Sequence, residues 1–371
     1  MDVVLEVFDT FACDYLYAKA FPLKSASTFQ APTLLNKIAN GLNATVEKAG
    51  AAAGTGGGVP VNLPLSNGYV YTPATTFLSF EPSQWAYLSS LPRDNAWRQA
   101  FSLFMITWVF GVIMYFLFAS LSYLFIFDHN TFHHPKFLKN QVRKEIAQTM
   151  EAMPIMSALT VPFFLGEVRG HSKIYDKLDE APFWWYNLLQ FPLFIMFTDL
   201  CIYWIHRYLH HPILYKRLHK PHHKWIMPSP YASHAFHPVD GWAQSVPYHL
   251  FPFIFPLQKF ANIFFFMFIN FWTIMIHDGE YVATSPVVNG AACHTMHHLF
   301  FRVNYGQFTT LWDRIGGSYR RPADEMFQKE LKMCSATWNK QTEEMEVLVK
   351  EVEGDDDREY GADEKESKKK I

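Results

Sequence analysis

Residues 206–223 read HRYLHHPILYKRLHKPHH, and six of these eighteen are histidine. They follow an apolar run, 183–205, directly. His206 and His210 stand four apart and so share one helix face. Pro212 ends that helix. His219, His222 and His223 form H-x-x-H-H, whose spacings of three and four again place the rings on one side. The same spacing returns 75 residues later as His294, His297 and His298. Thirteen of the chain's 17 histidines fall between His206 and His298. One histidine pair is usually a surface or capping feature, but three patterned clusters at the ends of apolar runs read as metal ligands. Eight imidazoles exceed the three or four that a zinc ion takes, so two metals are implied. Imidazole suits iron, zinc and copper alike, and the spacing does not choose among them.

Composition places these clusters in a membrane protein. Of 371 residues, 50% are hydrophobic, 17% aromatic and only 18% charged, whereas soluble domains carry about a quarter charged residues. A net charge of −2 gives no global field for nucleic acid. Cys13, Cys201, Cys293 and Cys334 are scattered, with no C-x-x-C pair, so a disulfide framework, zinc ribbon or iron–sulfur site is not expected. Asp2 and the lack of a basic start make the N-terminus a poor cleavable signal peptide. Ala51–Gly58 (AAAGTGGG) lacks the Lys-Ser/Thr of a phosphate loop and reads as a linker.

Phe101–Phe127 is uncharged for 27 residues, which is roughly 40 Å of helix and enough to span a bilayer. Ile146–Gly166 is a weaker candidate, interrupted by Gln148 and Glu151. Phe183–Ile205 is strong. Val246–Ile276 is apolar but broken by Pro252, Pro256 and Lys259, which predicts two short helices in a hairpin. Such a hairpin returns the chain to the side where 206–237 ended, so that 294–298 can join the same site. Lys136, Lys139, Arg143 and Lys144 make the first loop cytosolic by the positive-inside rule, and the histidine side with it; residues 1–100 would then be lumenal. The sequon Asn43-Ala44-Thr45 would be glycosylated on that side. The charged tail Gly354–Ile371 is expected to be disordered. Its final Lys368-Lys369-Lys370-Ile371 reads either as a dilysine retrieval signal or as a solvated charge run. The expected fold is an all-α integral membrane protein with about four to five transmembrane or re-entrant helices and a cytosolic, histidine-rich two-metal cap. Its expected divisions are a variable region 1–100, a membrane domain 101–325 and a charged tail 326–371.

Beyond the eight box histidines, His237 (in HAFHPVD) and His277 (in IHDGEY) are the next candidate ligands. His234 is the alternative to His237. His129, His133, His134 and His171 lie in loops without pattern and read as surface residues; His211 and His249 lack a partner on the right face. Asp199, seven before His206 on its face, is a candidate acceptor of an imidazole N–H, as are Asp240 and Asp278; each reads equally as a cap or loop carboxylate. No G-x-S-x-G elbow or H-E-x-x-H motif is present.

The boxes H206RYLH210, H219KPHH223 and H294TMHH298 resemble those of the fatty acid hydroxylase/sterol desaturase superfamily. FDHNTFHHPKFLKNQVRKEI (127–146), RLHKPHHKW (217–225), SHAFHPVDGWAQSVPYHLFPFIFPL (233–257), WTIMIHDG (272–279) and NYGQFTTLWDRIGGSYRRP (304–322) are similar to the sterol C-5 desaturase family within it, in its fungal form. The likeness covers residues 80–325. Cys293 stands where many members have histidine, and Arg302-Val303 replaces their usual Asn-Tyr. The resemblance implies ligands His206, His210, His219, His222, His223, His237, His277, His294, His297 and His298. It implies two iron ions, which zinc can replace in a purified sample, together with O2 and electrons from NAD(P)H through cytochrome b5 and its reductase. It further implies an endoplasmic-reticulum membrane protein, with its active site facing the cytosol, that acts on a Δ7-sterol at C-5(6), on the ergosterol route. The same scaffold also serves sterol C-4 methyl oxidation and fatty acyl hydroxylation. A zinc hydrolase or a non-catalytic metal or sterol sensor would show different metal content and no oxidation.

Overall fold

The computed structural model describes residues 1–23, 66–281, 283–332, 334–354, 356 and 358–361. The linker 51–58, the sequon at Asn43 and the terminal lysines lie outside them. The chain divides into two compact units, Met1–Ile106 and Thr107–Ile371.

In the first unit, α1 (Asp2–Phe8) and α2 (Asp14–Ala20) join through a widened π-turn, Asp9–Cys13. Arg98 bonds Asp9 and Asp14 at 2.7 and 2.6 Å, and Arg93 reaches Asp14 at 2.6 Å. Four buried charges thus neutralise one another, which burial requires.

Among the described residues, three helices are long and apolar enough to cross a membrane: α3 (Ala96–Phe125), α4 (Gln141–Val168) and α5 (Tyr186–Leu209). Ile113, Phe116, Leu117, Leu121 and Leu124 of α3 are exposed. An exposed apolar stripe of this kind suits lipid and not water. The weaker candidate around 146–166 is a full helix: Gln148 finds partners inside the protein, and Glu151 is exposed. Gln141 Nε2 donates to Glu145 at 2.8 Å, and Gln148 Nε2 donates to the carbonyls of Pro221 and Ala235 at 3.2 and 3.0 Å. These last two bonds fasten the second histidine box and the HAFH loop onto α4.

The apolar segment 246–276 forms the expected hairpin, α6 (Pro238–Ile254) and α7 (Lys259–Met275). At 17 residues each, roughly 25 Å, these helices are short for a full span. Pro256 lies in the break between them. Gln258 caps α7 by accepting the N–H groups of Phe260 and Ala261 at 2.7 and 3.0 Å. The turn is tied down by a two-residue parallel pair, β1 (Ile174–Tyr175) with β2 (Leu257–Gln258). Phe194 of α5 and Phe265 of α7 stack at 3.9 Å in a core shared with Phe251 and Phe308.

The chain ends differently from its sequence expectation. Within the supposed tail 326–371, Ser335–Val352 is a helix, α9, packed on α8 (Ala291–Phe300). Met345 and Val349, four apart, are buried in that contact. Glu353 and Arg358 then pair at 2.9 Å with both side chains almost fully buried. A short apolar stripe and one buried ion pair order a segment whose composition reads as solvated; residues 362–371 lie outside the described part.

Candidate metal centre

α5 ends at the first box, the helical run 212–223 carries the second, and α8 carries the third. Their rings sort into two groups. His206, His210, His219, His223 and His297 form one, and His222, His277, His294 and His298 the other. Within each group the available ligand atoms lie within 4.8 Å of one another. Both H-x-x-H-H boxes are therefore divided: the residues four apart serve one group and the middle histidine turns to the other. Successive helical positions rotate by about 100°, so the third and fourth positions after a histidine point to opposite sides of it.

The outer nitrogens are fixed. Nδ1–H of His206 donates to the Tyr305 carbonyl at 2.9 Å, that of His297 to Val303 at 2.7 Å, and that of His277 to Thr273 at 2.7 Å. His219 Nδ1–H donates to Asp240 Oδ2 at 2.8 Å. Each ring thus turns the Nε2 lone pair inward, the usual arrangement of ligating imidazoles. His206 and His219 face each other Nε2 to Nε2 at 3.1 Å. Two lone pairs at that distance repel unless a cation lies between them. The pairs His223–His297, His277–His294 and His294–His298 stand at 3.0, 3.0 and 3.2 Å. At a metal–nitrogen distance of about 2.1 Å, ligands at right angles sit about 3.0 Å apart and tetrahedral ones about 3.4 Å. His210 Nε2 is buried without a hydrogen-bond partner among the described residues. The residues fit two metal ions.

Burial first, and then the neighbouring imidazoles, hold His210, His222, His223, His294, His297 and His298 well below the ordinary imidazole range. Burial also pushes His277 down to about 4. Neutral imidazole is the form that ligates.

Nine of the ten expected ligands meet in these groups. His237 does not. Pro238 opens α6, which leaves His237 at the cap, where its Nδ1 accepts the Val239 N–H at 3.3 Å. His234 lies outside the groups too, bonded to Ser233 and Asn270. Of the three carboxylates, Asp240 alone meets a ring, and its other oxygen accepts from Gln244 Nε2 at 2.8 Å. Asp278 instead accepts the Glu280 N–H at 2.8 Å, and burial raises it to about 7. Asp199 accepts the backbone N–H groups of Gln307, Phe308 and Thr309 at 2.9, 2.8 and 3.1 Å. It holds a loop and not an imidazole. His134, expected on the surface, is buried, with its Nδ1 accepting the Lys136 N–H at 3.1 Å.

The sequence reading missed Asp313. It accepts the N–H groups of Tyr305 and Gly306, both at 2.8 Å. Asp199 and Asp313 together pin the loop whose Val303 and Tyr305 carbonyls orient His297 and His206. A carboxylate just before the Gly316-Gly317 turn was the available signal.

A cavity opens beside the second group. Phe236 lines it and lies 4.4 Å from the His222 ring. Met153, Met156, Ile202, Tyr248, Phe266 and Ile269 form much of its wall, and it holds about 980 Å³ of empty space, part of it open to the surroundings.

The stretch that carries all nine grouped histidines, residues 191–318, matches the model of one class of protein, the fatty acid hydroxylase family. Within that class, three fungal relatives align over almost their whole length. The Delta(7)-sterol 5(6)-desaturase erg3A of Aspergillus fumigatus is 60% identical over 100% of both chains. That of Leptosphaeria maculans is 57% identical over 100% of this chain and 99% of its own. ERG3 of Saccharomyces cerevisiae is 47% identical over 98% of each. The chain belongs to the Delta(7)-sterol 5(6)-desaturase family. No solved structure matches it.

Proposed function

We propose that the chain introduces the C-5(6) double bond into a Δ7-sterol, using two iron ions, O2 and electrons delivered by cytochrome b5 from NAD(P)H through its reductase. The observation that carries this reading is the pairing of two inward-facing imidazole groups at the wall of an apolar cavity set among membrane helices. The full-length relatives named for this reaction support the choice of substrate. Bound iron, with O2, supplies an oxidant for unactivated C–H bonds, which acid–base side chains cannot break near neutral pH. The nine grouped histidines would hold the metals. Asp240 and the carbonyls of Thr273, Val303 and Tyr305 keep the rings aimed, so that little reorganisation is needed on turnover. The apolar cavity wall keeps water from the reacting carbons.

Removing two hydrogens while O2 becomes water needs an electron pair from outside. On the run 215–224 the histidines face inward, while Lys216 and Lys224 are exposed. With Lys144 and Lys220 these lysines line a groove, which we assign to the acidic face of cytochrome b5. In this reading the histidine side faces the cytosol and the membrane is the endoplasmic reticulum. Complementation of a cell lacking sterol C-5 desaturation tests the whole reading. Appearance of ultraviolet-absorbing 5,7-diene is expected, and its absence when the protein is present in the membrane refutes it. A His222→Ala chain should give none.

A further inference from the structure

We propose that Asn270, held by His234, binds the lone hydroxyl of the sterol and thereby sets which carbons face the metal centre. This rests on the substrate class proposed above. Asn270 sits in the interior of α7, where a carboxamide in a membrane helix is costly unless it has a task. The fold gives it little to do. Its Nδ2 donates to the Phe266 carbonyl one turn back, at 2.7 Å, and that carbonyl lies within the helix's own bonding pattern. Its Oδ1 meets His234 Nε2 at 3.3 Å. Neither residue belongs to the metal groups, and both line the cavity.

The pair has a defined polarity. An amide oxygen only accepts, so His234 Nε2 carries the proton, and its Nδ1 takes the Ser233 hydroxyl hydrogen at 3.1 Å. With the oxygen turned to His234 and one amide hydrogen on Phe266, the second amide hydrogen remains for the cavity. It can donate to a hydroxyl oxygen.

Sterol chemistry fixes where such a donor must lie. The one hydroxyl is on C-3, and only C-4 separates C-3 from C-5. A group that grips it must stand near the metals and not at the far end of the cavity. Asn270, Thr273 and His277 follow one helix face at steps of three and four, and Thr273 O already holds His277 Nδ1. Seven residues, roughly 10 Å of rise, separate Asn270 from His277, which is room for the first sterol ring.

Membranes carrying the full-length chain and its electron-supply proteins would be given 3-hydroxy and 3-deoxy Δ7-sterols, with 5,7-diene read by absorbance. The wild type should prefer the hydroxy-sterol by about 10- to 100-fold in kcat/KM, the effect of leaving a buried donor unpaired. Asn270→Leu should abolish the preference, because the deoxy-sterol no longer leaves a donor unpaired and the hydroxy-sterol no longer finds one, and it should retain its metal. His234→Phe, which frees the amide to turn, should reduce the preference in the same direction and serves if the first variant does not accumulate. Equal use of both sterols by the wild type, or a preserved preference in the variants, overturns the assignment while the desaturase reading stands. No diene from either sterol overturns that reading, and the assignment with it.

Discussion

Replacing Asp240 separates the grip on His219 from the rest of the site. The side chain is fully buried and accepts from His219 Nδ1 and Gln244 Nε2, both at 2.8 Å. In Asp240→Asn, Gln244 can turn its amide and offer its oxygen to the new NH2 group. The asparagine oxygen then still accepts from His219, and the loss is chiefly that of the negative charge. In Asp240→Leu nothing accepts the His219 proton, and the ring is free to rotate or change tautomer. Loss of such a supporting partner weakens metal binding by about 10- to 100-fold, or about 1.4–2.8 kcal/mol. We expect the asparagine variant at the lower end and the leucine variant at the upper. Gln244→Leu, which leaves His219 supported, should stay close to wild type. The assay is chelator competition for iron on anaerobically purified protein, alongside diene formation in membranes. Wild-type metal affinity in Asp240→Leu would refute the argument. So would an equal loss in Gln244→Leu, which would show that general packing matters and not the ring.

His237→Ala removes a helix cap and no grouped ligand, so it should cost about 1 kcal/mol of stability and keep its metal, as metal analysis beside His222→Ala would show. Asp313→Ala strips the acceptor from two buried N–H groups and lets the 303–306 loop drift from His206 and His297. Limited proteolysis should show a looser loop, with stability lower by about 2–4 kcal/mol. Arg358→Ala leaves the buried Glu353 with only Lys220, at 3.5 Å, and the Tyr215 hydroxyl as partners, and losing the closer cation should cost about 1.5–3 kcal/mol, the scale of a hydrogen bond to a charged group. Thermal melts should show the double change Glu353→Gln/Arg358→Met to be milder than the single one. Reversing the charge of Lys216 and Lys220 should slow cytochrome-driven turnover more at low salt than at high, and an unchanged rate would remove the proposed docking face.

The grouping of the box histidines was legible because imidazole is a side-chain property and its spacing survives folding: i, i+3 and i+4 mean the same in a sequence and on a helix. What holds their rings in place was not. Thr273, Val303 and Tyr305 act through their carbonyls, which every residue has, so no letter marks them. Asp199 drew notice for its place on the His206 face, yet buried carboxylates answer to whichever donors surround them. Three consecutive N–H groups of a loop more than a hundred residues away outcompeted any ring. His237 and His234 were indistinguishable by spacing, and neither joins the groups: Pro238 commits His237 to the start of α6, and His234 turns to Ser233 and Asn270. The misread tail has the same logic. Its charge count dominated the reading, whereas its order depends on Met345 and Val349 meeting α8 and on one ion pair sealed from water. Arg358 from that pair also donates to the His223 carbonyl at 3.2 Å. The last described residues therefore bear on the second histidine box, and a chain cut before α9 should lose its grip on metal as well as stability.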